Sequence, residues 1–233
     1  MDTYLHHDHE ESHLKSSDLL RDVVIGMSDG LTVPFALAAG LSGAVDQSSI
    51  IVIAGIAEIA AGSIAMGLGG YLAGKTEQDH YSSEVKREYD EVENLRHQEI
   101  EETKGFFANI GLSPALQQQA TDEIAQDKHR WVDFMMKYEL GLDKPDPKRA
   151  TKSALNIGLS YIAGGIIPLS PYFFIADSNE ALKISVVATL ICLFIFGYFK
   201  SKITGVKPLW GGIKVTLIGA VAAAAAFGVA KLF

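Results

Sequence analysis

Cysteine is almost absent from this 233-residue chain: Cys192 stands alone inside an apolar run. One thiol closes no intramolecular disulfide and builds no cysteine-based zinc site. Charge is scarce over most of the sequence as well. Residues 74–149 hold 17 acids and 11 bases, 28 of the 48 charged side chains, and the other 157 residues share the remaining 20. Such segregation excludes a single soluble core and fits a membrane protein with one polar domain. Positive excess is lacking too. The net charge is −8, of which −6 falls in residues 74–149, so a nucleic-acid partner is excluded and cations are favoured. The chain also lacks a nucleophile paired with a base, a glycine loop that cradles phosphate, and a zinc-peptidase helix. There is no internal repeat, and the one low-complexity tract is the alanine run 222–226.

What is present is long apolar sequence. A bilayer-spanning helix takes roughly 20 apolar residues. Residues 23–45 supply one such run with a single charge, Asp29, and residues 48–73 a second with a single charge, Glu58. Residues 154–176 supply a charge-free third. The runs 184–199 and 215–230 are shorter and extend if Lys183 and Lys214 reach toward the headgroups. The expected fold is therefore an all-α membrane protein with five transmembrane helices and a helical domain inserted between helices 2 and 3. Its parts are a tail at 1–20, helices 1–2 at 21–74, the polar domain at 75–149, and helices 3–5 at 150–233. The tail carries no apolar leader, so the first span is expected to be retained. Lys15 and Arg21 precede that span, twelve bases lie between Lys75 and Lys152, and Lys200, Lys202 and Lys207 join the last two spans. These rich sides coincide when the N-terminus and residues 75–149 are cytosolic and the C-terminus lies on the far side.

An ionised carboxylate at the bilayer centre costs about 3 kcal/mol even on lenient scales, so Asp29 and Glu58 call for a partner, an ion or a watery path. The plainer alternative is a helix–helix hydrogen bond from a protonated carboxyl. Gly26, Gly30 and Pro34 around Asp29 are expected to weaken regular helix and offer carbonyls as ligands. Met66, eight residues after Glu58, lies near the same face, about 12 Å along the helix. By composition alone Met66 is a packing residue. Beside carboxylates its thioether selects ions softer than Mg²⁺ or Ca²⁺, such as Fe²⁺ or Mn²⁺.

In the polar domain, residues 75–104 contain no Gly or Pro and read as one helix broken at Gly105. On that helix Glu84, Glu88, Glu91, Glu99 and Glu102 share an arc of about 80°. The pairs Glu88/Glu91 and Glu99/Glu102 fall about 16 Å apart, a stripe serving two sites. Ser113-Pro114 is expected to open a second helix running to about Leu140, carrying Met135, Met136 and Glu139. The alternative is a solvated acidic face. Clustered glutamates repel, however, and only Arg87 and Arg96 stand near enough to relieve them, a penalty that a bound cation removes. His6, His7, His9 and His13 in the tail read as a flexible solvated segment before they read as a metal trap.

The run from Asp29 to Ser42, DGLTVPFALAAGLS, resembles the first span of the vacuolar iron transporter family. Glu58 to Gly67, EIAAGSIAMG, resembles its second, and Gly164 to Leu169, GGIIPL, its third. The likeness runs from about Arg21 to the C-terminus and is greatest to plant members with a long cytosolic loop. It implies a homodimeric antiporter that moves Fe²⁺, and often Mn²⁺, from the cytosol into the vacuole against protons. It implies further that Asp29, Glu58 and Met66 line the path at the dimer interface. Glu88, Glu91, Glu99, Glu102, Met135, Met136 and Glu139 would form a cytosolic metal-binding domain open to Fe²⁺, Mn²⁺ and also Co²⁺ or Zn²⁺. No prosthetic group and no enzymatic activity are implied; the partners are the second protomer, metal ions, protons and lipid. Two other readings compete. A membrane-anchored di-iron ferroxidase needs Glu-x-x-His pairs on two helices, and the polar domain holds a single one, Glu77 with His80. A membrane-anchored metal sensor has no use for charges inside its spans.

Overall fold

The computed structural model describes residues 13–232. In chain order these form α1 (His13–Ala44), α2 (Ser48–Asn94), α3 (Arg96–Asn109), α4 (Pro114–Ile124) and α5 (Lys128–Phe134). A π turn (Met135–Glu139), α6 (Arg149–Leu169), a 3₁₀ turn (Ser170–Phe173), α7 (Ser178–Ile203) and α8 (Pro208–Ala230) complete the set. The one departure from helix pairing among the described residues is an antiparallel bridge between Gln47 and Asp177. The His-bearing stretch at 1–12 lies outside the described residues.

Among the described residues, five helices are long and apolar enough to cross a membrane: α1 from Asp18, α2, α6 with its 3₁₀ extension, α7 and α8. The two short runs at 184–199 and 215–230 lengthen as expected, taking in Lys183 and Lys214. Their outer faces stay apolar. Ile53 and Ile64 of α2 are 70% and 71% exposed, together with Leu159, Val187, Leu217 and Val221 on the other spans. In water such a surface would be a liability, whereas in lipid it costs nothing.

The chain divides into two compact units, Leu72–Ala150 and the remainder, with α2 passing from one into the other. In the membrane-spanning unit α1 packs against α7 and α8, and α7 against α8. Close approach depends on absent side chains. A Cβ on Gly26 would overlap the Ile157 carbonyl, and one on Gly30 the Tyr161 carbonyl, so α1 and α6 run nearly backbone to backbone. This use of the glycines replaces the unwinding expected around Asp29. α1 stays helical through Pro34, and the Thr32 hydroxyl bonds back to the Ser28 carbonyl at 2.8 Å. At one end of the unit the connectors clip together: Ser48 N–H donates to the Ala176 carbonyl and Ser178 N–H to the Asp46 carbonyl, both at 3.1 Å.

The polar unit departs from expectation twice. The helix read over 75–104 breaks at Leu95, not at Gly105, and α3 runs through Gly105 to Asn109. No local signal marks Leu95. The Arg96 guanidinium donates to the Ala125 carbonyl at 3.1 Å and lies over the Trp131 ring, so tertiary contacts hold the break. Arg96 is thereby turned to the core and does not relieve the glutamates as expected. The helix read from Ser113 to Leu140 divides at Asp127, whose carboxylate caps α5 by accepting from His129 N–H and Arg130 N–H. A core of Val92, Ala125, Trp131, Val132, Met135 and Met136 joins the pieces.

Candidate functional site

Each unit holds its own carboxylate constellation. In the membrane-spanning unit Asp29 on α1, Glu58 on α2 and Met66 further along α2 are all half-buried. Glu58 is the best defined. Its Oε1 accepts a hydrogen bond from the Tyr161 hydroxyl of α6, while its Oε2 is buried and has no hydrogen-bond partner. An oxygen removed from water and left unpaired carries a desolvation cost that a proton or a cation relieves. Glu58 also lines a cleft of about 690 Å³ with Thr32, Ala36 and Gly40 of α1 and Ala222, Ala226 and Val229 of α8. Neither Asp29 nor Met66 is among the residues lining that cleft.

Tyr161 was not legible as a site residue. It is fully buried, and Gly30 and Gly62 make its room, since a Cβ on either would overlap it. The available signal was a phenol in an otherwise uncharged span, because a buried Tyr hydroxyl needs a partner. Asp22 is a second omission. It is 1% exposed, and its carboxylate accepts from Ser153 Oγ at 3.0 Å and from Asn156 Nδ2 at 3.4 Å. Seven residues before Asp29, it shares the same helical stripe.

In the polar unit the break at Leu95 folds α3 back so that Glu88, Glu99 and Glu139 meet. One carboxylate oxygen from each lies within 4.8 Å of those from the other two. The expected separation of about 16 Å between two sites on one straight stripe is therefore overturned: Glu88 and Glu99 belong to one cluster. Glu88 and Glu99 are each 2% exposed, Glu139 is exposed, and Glu88 Oε2 is buried without a partner. Burial first, then the neighbouring Glu91, holds the Glu88 carboxyl above its usual range. Burial, then Glu102, pushes Glu99 up to about 7, and the same two causes push Glu139 up to about 7. Ionising all three acids at this spacing is costly, and a divalent cation among oxygen ligands would offset that cost.

Glu91 and Glu102 flank the cluster. Glu91 pairs with Arg87 Nε at 3.6 Å, and Glu102 accepts from Gln98 Nε2 at 2.9 Å. Arg87 is shared further, with Glu84 at 2.7 Å and Glu88 at 3.9 Å. Met135 and Met136 are both buried in the core, and the Met135 sulfur accepts from Thr103 Oγ1 at 3.3 Å. The π turn carries Met135 at its start, buried in the core, and Glu139 at its end, exposed.

Among the described residues, five helices long and apolar enough to cross a membrane, joined to a polar helical unit, mark a multi-pass membrane protein. The chain belongs to the VIT family, whose sequence profile matches residues 20–231. It is 52% identical over 224 residues to Vacuolar iron transporter 1 of Tulipa gesneriana, covering 96% of this chain and 91% of that protein. To Vacuolar iron transporter 1 of Arabidopsis thaliana it is 51% identical over 230 residues, covering 99% and 92%. Protein CCC1 of Saccharomyces cerevisiae is 39% identical over 228 residues, covering 92% of this chain and 69% of the yeast protein. The plant relatives are named as transporters, not as enzymes.

Proposed function

We propose that this protein carries Fe²⁺ across the vacuolar membrane from the cytosol, accepts Mn²⁺ as well, and exchanges the metal for protons. The observation that carries the reading is Glu58: a carboxylate inside the membrane-spanning unit, one oxygen held by Tyr161 and the other buried without a partner beside an open cleft. The names of the relatives supply the metal and the compartment. Asp29, Glu58 and Met66 form the transport path, oxygen and thioether ligands that suit Fe²⁺ and Mn²⁺ and discriminate weakly between them. A carboxylate is either a ligand or protonated, so protons from the acidic side displace the metal and couple the two fluxes.

The protein works as a homodimer, with the path at the interface and the cleft between α1 and α8 facing the second copy. The N-terminus and residues 75–149 are cytosolic and the C-terminus lumenal, as the lysine and arginine distribution indicates. Residues 75–149 serve as a metal-gathering domain, with Glu88, Glu99 and Glu139 as its centre and Glu91, Glu102, Met135 and Met136 around them. Co²⁺ and Zn²⁺ bind there too.

Uptake into proteoliposomes under an imposed pH gradient tests the whole scheme. Wild type should accumulate Fe²⁺ and Mn²⁺ only with the gradient, and Asp29→Ala should lose uptake at every metal concentration. Met66→Leu keeps volume, so it should fold normally and transport Fe²⁺ more slowly. Joint replacement of Glu88, Glu91, Glu99 and Glu102 by Gln should lower uptake most at low metal and recover partly when metal is raised. Wild-type uptake by Asp29→Ala at matched protein level would remove the path assignment.

A further inference from the structure

A second hollow opens in the membrane-spanning unit, apart from the cleft beside Glu58. It measures about 220 Å³ and lies between α1, α7 and α8. Phe35 and Ala39 of α1 and Ala223 of α8 are buried and form its floor. Its walls are half-buried and Ala224 at its rim is exposed, so it is a crevice in the outer surface and not a sealed void. Along α7 it runs from Leu182 to Leu190, eight residues or about 12 Å of helix. Every lining side chain is Ala, Val, Leu or Phe. Such walls offer water nothing to bond, and a small polar molecule would find none of the anchors that fix one in a pocket. Hydrocarbon is the occupant they fit, since an apolar cavity of about 150 Å³ already takes up benzene.

At one end of the crevice the chemistry changes. Leu182 and Phe227 mark that end, where α7 begins and α8 finishes. Lys183 follows Leu182 and is exposed, and the Lys231 ammonium lies 4.9 Å from the centroid of the Phe227 ring. Among the described residues neither lysine forms an ion pair, although Glu180 precedes Lys183 by one turn. We propose that the crevice seats one acyl chain of an anionic glycerophospholipid, whose headgroup is met by Lys183 and Lys231. The two parts have different roles. An acyl chain gains little by leaving the bilayer for the crevice, because lipid tails are as apolar as leucine. The walls therefore accept any chain, and selection falls to the lysines, each worth about fivefold in affinity for an anionic over a neutral headgroup. The α8 residues lining the crevice and those lining the Glu58 cleft fall on opposite faces of that helix. A seated chain thus braces α8 from behind.

Lipid binding tests this without reference to the ion carried. Full-length protein in detergent is titrated with phosphatidylglycerol and with phosphatidylcholine bearing the same two chains, and bound lipid is counted by native mass spectrometry. One phosphatidylglycerol should be retained per protomer, about 25-fold more tightly than phosphatidylcholine. Joint replacement of Lys183 and Lys231 by Gln should bring the two lipids level while both still bind. Ala220→Phe fills the crevice and should abolish retention of either lipid. Should that variant fail to fold, Val186→Phe fills it from the α7 wall and should do the same. Phosphatidylglycerol should raise the thermal midpoint of wild type and leave that of the filled variant unmoved. No retained lipid in wild type, equal affinity for the two lipids, or lipid still held by the filled variants would each overturn the assignment. Loss of a dimer in Ala220→Phe with lipid still bound would overturn it as well, and would mark the crevice as a seat for a second copy of the chain.

Discussion

A hydroxyl from α6 meets the Glu58 carboxylate inside the membrane-spanning unit, and the other oxygen of that carboxylate has nothing to bond to. Tyr161→Phe removes the donor, keeps the ring and leaves both oxygens unpaired. A hydrogen bond to a carboxylate is worth about 1.5–3 kcal/mol, so uptake in proteoliposomes should fall by about tenfold or more with folding and expression intact. An unchanged rate would show that Tyr161 only fills space. At this scale the sequence was most legible where a residue was out of place. A lone acid among 23 apolar residues exposes itself, and so Asp29 and Glu58 could be named. Tyr161 and Asp22 could not. A phenol is ordinary in an apolar helix, and Asp22 falls one residue outside the run counted from Val23. Their burial follows from which helix faces them, and that is a tertiary fact.

The helices themselves show the same division. Apolar length marked all five spans, because a bilayer imposes a length that composition reveals. The bends of the polar unit stayed hidden: Leu95 has neither glycine nor proline beside it, and its break is held by Arg96 reaching Ala125 and Trp131. Asp127 stayed hidden as well: the helix read from Ser113 ran through it, and its carboxylate instead caps α5. One prediction belongs to α1 and α2. Alanine is ordinarily the better helix former by about 1 kcal/mol. Gly69→Ala on α2 should therefore be neutral or stabilising, since a Cβ there meets nothing within 4 Å. Gly30→Ala should do the opposite, because its Cβ would strike the Tyr161 backbone. Thermal unfolding in one detergent compares the two, and equal shifts would mean that α1 and α6 do not approach as closely as described.

Taken whole, the molecule keeps a partly buried acid triad in its polar unit and should be sensitive to pH on that account. A carboxyl raised in the folded state holds its proton more tightly folded than unfolded. Below the ordinary value near 4.5 both states are protonated and no penalty exists; as pH climbs to about 7 stability is lost, and above that the loss is complete. Hydrogen exchange across Leu72–Ala150, corrected for intrinsic rates, should report easier opening at pH 7.5 than at pH 5.5. Glu99→Gln should flatten that dependence, and added divalent metal should reverse it by binding the ionised triad. A pH-independent profile in wild type would mean that water reaches the triad and relieves it. A different consequence attaches to the bridge between Gln47 and Asp177. Connectors between helices are where epitopes are usually inserted to map which side of a membrane a protein shows. These two are sewn to each other, through Ser48 to Ala176 and Ser178 to Asp46. An insertion in one therefore loosens two helical hairpins at once, and a tag there reports on a damaged protein. The turn at Gly205, with φ +72° and Val206 N–H bonded to the Ser201 carbonyl at 3.0 Å, closes on its own helix end and is the sounder place to put one.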